Sequence, residues 1–479
     1  MTQTASQPAP PPVSSLFPSS ETREQCDEQL SRGLAEARHR VAAGAVTPVI
    51  DFELFKQQLA GFDFSRPRPL GETLQWVITR MEEGLVHITN PRYFGLFNPD
   101  PTFPAQCADR VAAAFNPQLA TATTSPAAVE IEAHVIRSVA ARAGLPPDAT
   151  GHFTTGGAEA NYTALLCALT RSEPRFAIEG ARAFAGRPVF YISRESHLAW
   201  LKIAHQTGIG RAAARLIATD GSGRLDPRAL AAALDADRAE GCVPVMIAAT
   251  AGTTNAGMID PLAACAEIAA RGGLWYHVDA AWAGAAIASD RLRGLLAGLE
   301  RADSVTIDAH KWFATTMGCG MFLSRHPSVL CDVFSVSTTY MPSRLEGVDP
   351  YVTSVQWSRR FLGLRLFLAL AAAGWEGYAR HVERACWLMD LLRSRLTGEG
   401  WSVLNDSSVA VLCLAPPFGL PSRIVANVLA SGRAWISTAT FEGREVIRAC
   451  ATHGETTERD VDELVNALRA ALHQERVVA

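Results

Sequence analysis

Hydrophobic and polar positions follow a helical spacing over the first part of the chain. Segments such as REQCDEQLSRGLAEARHRVAAG and LGETLQWVITRMEEGL, between about Thr22 and about Leu85, carry apolar residues on one helical face. Residues 1–21 are instead rich in proline and serine, a composition typical of a disordered tail. We therefore predict a tail at 1–21 and an N-terminal helical segment at 22–104.

In the middle of the chain, short apolar runs alternate with helix-like segments, which predicts an α/β domain with a parallel sheet covered by helices. Four runs end on polar or small residues. RPVFYIS precedes His197, VPVMIAA precedes TAGTTNAG, LWYHV precedes Asp279, and SVTI precedes Asp308. Ligands of open α/β sheets bind outside the carboxyl ends of the strands. These four ends therefore predict one shared site in a large domain at 105–373.

The pattern changes near Gly374. A long amphipathic segment, WEGYARHVERACWLMDLLRSRL, precedes two β-like runs, SVAVLCLAP and EVIRACAT. The chain closes with TERDVDELVNALRAAL, a helix for which Thr457 can serve as N-cap. We predict a smaller α+β domain at 374–479. The most apolar stretch, RRFLGLRLFLALAAAGW, is interrupted by Arg365 and is too short to span a bilayer.

Composition narrows the range of partners. The 479 residues are 48% hydrophobic and 19% charged, as in a folded protein with a large core. A net charge of −4 argues against nucleic acid and membrane surfaces as partners. The ten cysteines show no CxxC pair or metal-ligand spacing, which predicts reduced, mostly buried thiols. Because the N-terminus also lacks the features of a signal peptide, we expect a cytoplasmic protein.

Lysine is rare in this chain. Lys56, Lys202 and Lys311 are the only lysines among 44 basic residues. A lysine amine can lose its proton and attack a carbonyl, whereas arginine stays charged. Lys311 follows a predicted strand end, beside His310, in IDAHKWFATTMGCG. This position predicts a Schiff-base lysine; a surface lysine or an ion pair with Asp308 are the alternatives.

The segment TTGGAEANYTALLCAL predicts a phosphate site. Its apolar residues from Tyr162 to Leu169 have helical spacing, so a helix begins near Ala158. Two glycines before a helix allow an anion to approach its backbone N–H groups. The segment lacks the P-loop and dinucleotide patterns, so a single phosphate fits best. A tight turn without a ligand is the alternative.

Three further residues could contact a flat, charged ring. Asp279 ends an apolar strand in YHVDAAWAG, where burial requires a cationic partner. A protonated ring nitrogen would suit it, and Ala281 leaves room for a ring; an arginine partner or a helix cap are alternatives. His197 in RESHLAW can stack on a ring or lie on the surface. Thr254, like Thr253 and Asp260, follows a buried strand in TAGTTNAGMID, where ordinary turn chemistry is the alternative.

Taken together, a phosphate cradle, a carboxylate, a stacking histidine and a Schiff-base lysine are what pyridoxal 5′-phosphate requires. The sequence resembles the fold-type I, group II pyridoxal-phosphate decarboxylases, which include aromatic-L-amino-acid, tyrosine, histidine and glutamate decarboxylases. The motifs TTGGAEAN, HVDAAWAG, IDAHKW and RRFLGLRLF stand in the family's order. The resemblance covers the chain from about Pro91 to the C-terminus.

The resemblance implies the fold of the aspartate aminotransferase-like, PLP-dependent transferases. This is an α/β fold with a mainly parallel sheet, an N-terminal helical segment and a small C-terminal α+β domain. It implies that Lys311 forms the internal aldimine, Asp279 pairs with the pyridine nitrogen and His197 stacks on the ring. The remaining cofactor contacts that it implies are Gly157, Ala158, Thr254, Ala281 and His310.

The resemblance also implies the reaction and a homodimer. It assigns Tyr340 to a mobile loop that reaches the neighbouring subunit's active site, so that the active sites are shared. Tyrosine at this position goes with simple decarboxylation in relatives, and phenylalanine with aldehyde formation. Decarboxylation of an L-amino acid to an amine and CO₂ is therefore implied. The alternatives are decarboxylation with oxidative deamination, other lyase chemistry, and a non-catalytic binding module, which retention of Lys311 and Asp279 disfavours.

The aromatic segment PRYFGLFNPDPTFP matches the part of the family that lines the substrate pocket. Phe97 and Phe103 are the substrate-binding residues that this match implies. Plain packing of the N-terminal segment is the alternative for these rings. An aromatic substrate is favoured, and acidic and small aliphatic amino acids stay open.

Overall fold

The computed structural model describes residues 13–336 and 349–478. The α-helices are α1 Ser20–Ala43, α2 Phe52–Ala60, α3 Leu70–Gly84, α4 Phe103–Phe115, α5 Pro126–Arg142, α6 Gly157–Ser172, α7 Phe176–Glu179, α8 Ala199–Gln206, α9 Pro227–Ala239, α10 Leu262–Gly272, α11 Val329–Phe334, α12 Gly363–Thr397, α13 Pro421–Ala430 and α14 Glu458–Val478. The strands are β1 Thr150–Thr154, β2 Pro188–Ser193, β3 Ala214–Ile217, β4 Val243–Thr250, β5 Trp275–Asp279, β6 Ser304–Asp308, β7 Gly320–Ser324, β8 Ser402–Val403, β9 Val411–Ala415, β10 Ser437–Phe441 and β11 Arg444–Cys450. Short 3₁₀ helices span Gly180–Ala183, Arg211–Ala213, Ala283–Ala288, Arg293–Leu296, Leu299–Arg301 and Pro350–Val352.

The large sheet has the strand order β1-β7-β6-β5-β4-β2-β3. Strands β2 to β6 run parallel, whereas β7 is antiparallel to both β1 and β6. The carboxyl ends of β2, β4, β5 and β6 therefore lie at one edge. These are the four strand ends that the sequence predicts, so the mainly parallel sheet and its shared edge are confirmed.

Both faces of the large sheet are covered by helices. In β4, Ile247 and Ala249 pack in one core with α5, α9 and α10. Their neighbours Met246 and Ala248 pack in a second core with α6 and α8. Successive strand residues point to opposite faces, so this alternation gives a sheet buried on both sides. Because both faces are buried, these strands appear in the sequence as continuous apolar runs without polar alternation.

Helices α1, α2 and α3 precede the sheet, as the helical spacing predicts. The Ser19 hydroxyl caps α1 by accepting from the Thr22 N–H, and the Asp51 carboxylate caps α2. Helix α1 begins at Ser20, so the end of the tail predicted at 1–21 is helical. The division of the chain at 104 and at 373 stays a prediction.

The C-terminal part contains a second, antiparallel sheet in the order β10-β11-β9-β8. Its strands β9 and β11 are the two predicted runs, whereas β8 and β10 are short or polar and gave no such signal. The predicted boundary at Gly374 lies inside α12, where this glycine adopts φ 63° and bends the helix. At the start of α14, the Thr457 N–H and hydroxyl both donate to the Asp460 carboxylate.

Arg365, which interrupts the most apolar stretch, is buried in α12. Its Nε donates to Asp109 Oδ1 at 2.7 Å, and Nη1 donates to the carbonyls of Met317 and Gly318. No helix within 13–336 and 349–478 is long and apolar enough to cross a membrane. All ten cysteines are free thiols and most are buried, as predicted.

Candidate active site

A cavity of about 120 Å³ opens at the carboxyl ends of β4, β5 and β6. The N-terminus of α6 closes one side, and the segment before α4 contributes an aromatic ring. Its lining residues are Phe97, Gly157, Ala158, Asn161, His197, Thr250, Gly252, Thr254, Asp279, Ala281, Trp282, Asp308 and Lys311. Most of the predicted site residues therefore surround one cavity.

Lys311 lies one turn beyond the end of β6. Its Nζ is 3.0 Å from Asp308 Oδ2, and its side chain is 22% exposed. The ion pair with Asp308 is therefore observed, and Lys311 also lines the cavity. The Schiff-base role of Lys311 stays a prediction. The second carboxylate oxygen, Asp308 Oδ1, is buried and has no hydrogen-bond partner within the described ranges.

Helix α6 begins at Gly157, next to the predicted start at Ala158. The first amide groups of a helix have no partner inside it, and here they border the cavity. A Cβ at Gly157 would lie 2.9 Å from Asp308 Oδ2 and 3.4 Å from the Ala281 Cβ. The backbone can therefore approach this closely only because the residue is glycine. The turn suits a compact anion such as phosphate.

Asp279 ends β5 and is only 5% exposed. Its Oδ2 accepts from Asn161 Nδ2 at 2.8 Å, and its Oδ1 accepts from the Ala281 N–H at 3.2 Å. Neither donor is charged, and none of the described arginines forms an ion pair with this carboxylate. The predicted arginine alternative is therefore not observed, and the short Ala281 contact is the only cap-like feature. A buried carboxylate with neutral partners can still accept from a cation in the cavity.

His197 reaches the cavity from the loop after β2. Its Nδ1 accepts from the Ala199 N–H at 3.1 Å, so the neutral ring carries its proton on Nε2. Desolvation lowers the pKa of His197, against the opposite pull of Asp279. The ring is therefore neutral at pH 7 and can lie flat against another ring.

In the segment after β4, some residues stabilise a turn and others line the cavity. Thr253 Oγ1 accepts from the Met258 N–H, and Asp260 accepts from backbone N–H groups, which is ordinary turn chemistry. Thr254 lines the cavity instead, and its carbonyl accepts from Arg448 Nε at 2.8 Å. Of these three residues, Thr254 lines the cavity, whereas Thr253 and Asp260 do not.

A stack of aromatic rings forms the wall beside Lys311. Phe97 stacks on Trp282 with ring centroids 4.0 Å apart, and Trp282 stacks on Trp312 at 4.7 Å. The Arg448 guanidinium lies 4.6 Å over the Phe97 ring. Since Trp282 fills one face of Phe97, this guanidinium must cover the other face. Trp282 and Arg448 therefore cover the two faces of Phe97, and Lys311 Nζ also lies 5.9 Å from the centroid of this ring.

Two predicted residues do not line the cavity, and a third falls outside the described residues. His310 does not line the cavity; its Nδ1 contacts the Cys319 backbone and its Nε2 is 3.8 Å from Asp308 Oδ2. Phe103 is 68% exposed at the first position of α4 and does not line the cavity either. Tyr340 lies outside the described residues.

Two polar residues at the site were missed from the sequence. Asn161 stands inside the quoted motif TTGGAEAN, one helical turn after Ala158, so its position on the same face was a usable signal. Arg448 interrupts the apolar run EVIRACAT, where a charge between Ile447 and Ala449 signals a buried cation. It is 2% exposed, its Nη2 has no hydrogen-bond partner, and no described carboxylate forms an ion pair with it.

Comparisons with known proteins agree with this arrangement. A sequence model of the family described as "Pyridoxal-dependent decarboxylase conserved domain" matches residues 66–414. The chain belongs to the pyridoxal-dependent decarboxylases. It is 31% identical over 454 residues to a tyrosine decarboxylase of Oryza sativa subsp. japonica, covering 87% of this chain and 84% of that protein. It is also 31% identical over 360 residues to the "Acidic amino acid decarboxylase GADL1" of Mus musculus, covering 72% and 64%.

The fold matches that of solved decarboxylases. The structure of Oryza sativa TDC with PLP and tryptamine superposes with a TM-score of 0.89 at 24% sequence identity, covering 95% of this chain and 99% of that one. The expected PLP-dependent transferase fold is thus confirmed. As a pyridoxal-dependent decarboxylase, the protein is a carboxy-lyase that acts on amino acids and uses pyridoxal phosphate.

The residues of the cavity fit this cofactor. Gly157 leaves the space that a side chain would fill, at a helix N-terminus suited to phosphate. Asp279 is buried without a cation, which suits a protonated ring nitrogen. Lys311 supplies an amine at the same cavity. The hydrogen-bonding groups, the charge and the room left by Gly157 therefore agree with pyridoxal phosphate. The segment around Gly157 lacks the glycine pattern that binds a dinucleotide.

Proposed function

We propose that this decarboxylase converts an aromatic L-amino acid to the corresponding amine and CO₂, with Lys311 as the residue that carries the cofactor. The observation that carries the proposal is the meeting of Lys311, Asp279 and His197 at one cavity, beside the N-terminus of α6. The names of relatives such as the rice tyrosine decarboxylase support the aromatic substrate.

Pyridoxal phosphate, when bound, supplies an aldehyde that an amine can bond and a ring that withdraws electrons from the substrate. Gly157 and Ala158 would hold the phosphate through backbone N–H groups, and His197 would cover the ring. Thr254 and Ala281 border the same space. Because these residues belong to separate elements, they would hold the ring from several sides and so define its orientation.

Asp279 and Lys311 would have different electrostatic roles toward the cofactor. Asp279 would accept from a protonated ring nitrogen, and its burial strengthens that interaction over the same contact in water. Lys311 is ion-paired with Asp308 Oδ2 and would be the amine that carries the cofactor. His197 contributes a neutral ring, so it adds no charge that would compete with Asp279.

We propose that Tyr340 Oη delivers the proton that replaces the carboxylate on the substrate's Cα. The family resemblance supports this role and assigns the tyrosine to the neighbouring subunit of a homodimer. Tyrosine at this position favours the amine over an aldehyde. Water kept out of the cavity by Trp282 and Phe97 would limit side reactions.

The aromatic wall limits how a substrate ring can bind. Trp282 and Arg448 cover the faces of Phe97, so its edge is what remains for contact. An edge-to-face arrangement is favourable between aromatic rings. Phe97 would therefore meet the face of a substrate ring with its edge, and Phe103 would contribute only if a second subunit covers α4.

An acidic amino acid is the second candidate substrate. The buried Arg448 guanidinium has a donor, Nη2, with no partner, and it lies against the cavity-lining Phe97. A substrate carboxylate is the group that an unpaired guanidinium binds best. The relative named for acidic amino acids supports this reading.

The test measures CO₂ release from L-tyrosine, L-tryptophan, L-DOPA, L-glutamate and L-aspartate by the cofactor-loaded enzyme, with products identified by mass spectrometry. An amine from an aromatic substrate is expected. An amine from only the acidic substrates would favour the second candidate, and an aldehyde with ammonia would overturn the role of Tyr340.

Lys311→Ala tests the assignment of the lysine. Turnover is expected to fall by roughly 10⁴-fold or more, because one essential catalytic group is removed. Lys202→Ala is the matched control, since Lys202 is an exposed lysine on α8 that does not line the cavity. Near-normal turnover in Lys311→Ala would contradict the proposal.

A further inference from the structure

A chain of hydrogen-bonded side chains runs through the protein interior behind Asp279. Trp275 Nε1 donates to Ser304 Oγ at 2.8 Å, and Ser304 Oγ lies 2.8 Å from His277 Nδ1. His277 Nε2 lies 3.0 Å from Asn161 Oδ1, and Asn161 Nδ2 donates to Asp279 Oδ2 at 2.8 Å. All five side chains are 5% exposed or less.

The direction of every hydrogen bond in this chain follows from donor chemistry. The Asp279 carboxylate can only accept, so Asn161 donates Nδ2 to it and presents Oδ1 to His277. The Trp275 indole can only donate, so Ser304 Oγ accepts from it, and the Ser304 hydroxyl proton is left for His277 Nδ1. A neutral His277 then carries its proton on Nε2 and donates to Asn161 Oδ1. Burial lowers the pKa of His277 to about 4, so the ring is neutral at pH 7.

Thr306 independently supports this orientation of the Asn161 side-chain amide. Its hydroxyl donates to Asn161 Oδ1 at 2.7 Å, so that oxygen accepts from both Thr306 and His277. The amide of Asn161 therefore has one favourable orientation, with its oxygen toward these donors and its Nδ2 toward Asp279. A flipped amide would point oxygen at oxygen on the Asp279 side and leave two donors facing an NH₂ group.

We propose that Ser304, His277 and Asn161 are positioning residues that hold Asp279 Oδ2 as a hydrogen-bond acceptor for the bound cofactor. The proposal rests on the proposed function, in which Asp279 pairs with the ring nitrogen. Each member donates toward Asp279, so the chain supports a negative carboxylate and has no acceptor to offer a protonated one. The sheet sets the geometry, since Ser304 and His277 are paired residues of β6 and β5.

The test compares two serines that face each other across neighbouring strands. Ser304 pairs in register with Ser324, and both are fully buried. Ser324 Oγ donates to the Asp303 carbonyl and takes no part in the chain to Asp279. Ser304→Ala and Ser324→Ala therefore remove the same group at matched burial, with only one of them linked to the site.

The readouts are the rate at which bound pyridoxal phosphate leaves the enzyme and its absorbance spectrum against pH. Ser304→Ala is expected to release the cofactor about fivefold faster and to shift the spectral pH midpoint, because one hydrogen bond is lost. Ser324→Ala is expected to keep both at wild-type values, even where thermal stability falls equally. Equal changes in both variants would overturn the proposal.

Two further variants keep the result decisive. Thr306→Val is close in shape and removes only the second donor to Asn161, so it should move the same readouts in the same direction if Ser304→Ala folds poorly. Asp279→Asn tests the proposed function itself. If Asp279→Asn changes the spectrum and neither Ser304→Ala nor Thr306→Val does, the positioning role fails alone. If Asp279→Asn leaves the spectrum unchanged, the assignment of Asp279 fails as well.

Discussion

Two carboxylates at neighbouring strand ends, Asp279 on β5 and Asp308 on β6, are equally buried and differently partnered. Asp279 receives only neutral donors, from Asn161 and a backbone amide. Asp308 already holds a cation, because Lys311 Nζ lies 3.0 Å from its Oδ2. Burying a charge without a counter-ion is costly. The site of Asp279 is therefore suited to a cation that a ligand brings. Asp308, in contrast, already pairs with the ammonium group of Lys311, the residue that we propose carries the cofactor.

Of the changes that test the contrast between the two carboxylates, removing the charge of Asp279 should have the largest effect. Asp279→Asn should lower cofactor affinity and turnover by roughly a hundredfold or more, because one partner of a buried charge pair is lost. Cofactor affinity is measured by titrating the apoenzyme and following absorbance. Ser324→Ala is the control, because Ser324 is buried and takes no part in the chain to Asp279. A loss below threefold would remove the contrast between the two carboxylates.

Acidic pH should destabilise the fold, because two buried histidines are neutral: His277 in the chain behind Asp279, and His152 on β1. Burial lowers the pKa of His277 to about 4 and that of His152 to about 3, from 6.5. Between pH 6.5 and 4 the unfolded chain therefore binds protons that the folded chain does not, so stability falls as pH falls. The expected loss in the free energy of unfolding is about 3 kcal/mol per histidine by pH 4.

Denaturant unfolding at pH 7, 5.5 and 4 measures this loss. His152→Phe should reduce the acid-induced loss, since the variant has one fewer buried imidazole to protonate. His205→Gln is the control, because His205 is exposed and its removal should leave the pH dependence unchanged. An identical pH dependence in wild type and His152→Phe would contradict the prediction.

A smaller effect is expected from crowding Asp308. Gly157→Ala places a Cβ 2.9 Å from Asp308 Oδ2, so the carboxylate or the helix start must shift. Cofactor affinity should fall by roughly tenfold, a typical cost of overpacking. Gly221→Ala, where nothing lies within 4 Å of the added Cβ, is the control. Unchanged affinity would mean that this turn is not the phosphate site.

The smallest effect is expected from neutralising Asp308. In Asp308→Asn, Lys311 Nζ loses its ion-pair partner at 3.0 Å, so the amine is held less firmly and reaches the cofactor more readily. Capture of pyridoxal phosphate by the apoenzyme at pH 7 should therefore be faster, by about two- to fivefold. Stopped-flow absorbance measures the rate. Glu53→Gln, which breaks the exposed pair with Lys56, should leave it unchanged.

The sequence predicted the contrast only in part. Strand ends are visible as apolar runs that stop at Asp279 and Asp308, because burial on both faces removes polar alternation. The helix start at Gly157 is visible because glycine and helical spacing are local signals. Lys311 was found through its rarity, a feature of composition that needs no structure.

What the sequence could not give depends on contacts between distant residues. The covering of Phe97 by Arg448 joins residues from opposite ends of the chain, so this contact was not predictable. The amide orientation of Asn161 depends on donors from two other strands. Phe103 was assigned to the site by its position in an aromatic segment, but the start of α4 turns it outward.

The reversed strand β7 has a consequence for synthesis. Strand β1 leads directly into the turn at Gly157, yet within residues 13–336 and 349–478 the strand that pairs with it is β7. The ribosome makes β2 to β6 in between, so β1 waits as an unpaired strand while most of the sheet is translated. Pairing of such distant segments is intrinsically slow. The nascent chain therefore completes its cofactor site late, and a ribosome stalled before Gly320 carries a strand edge exposed to aggregation.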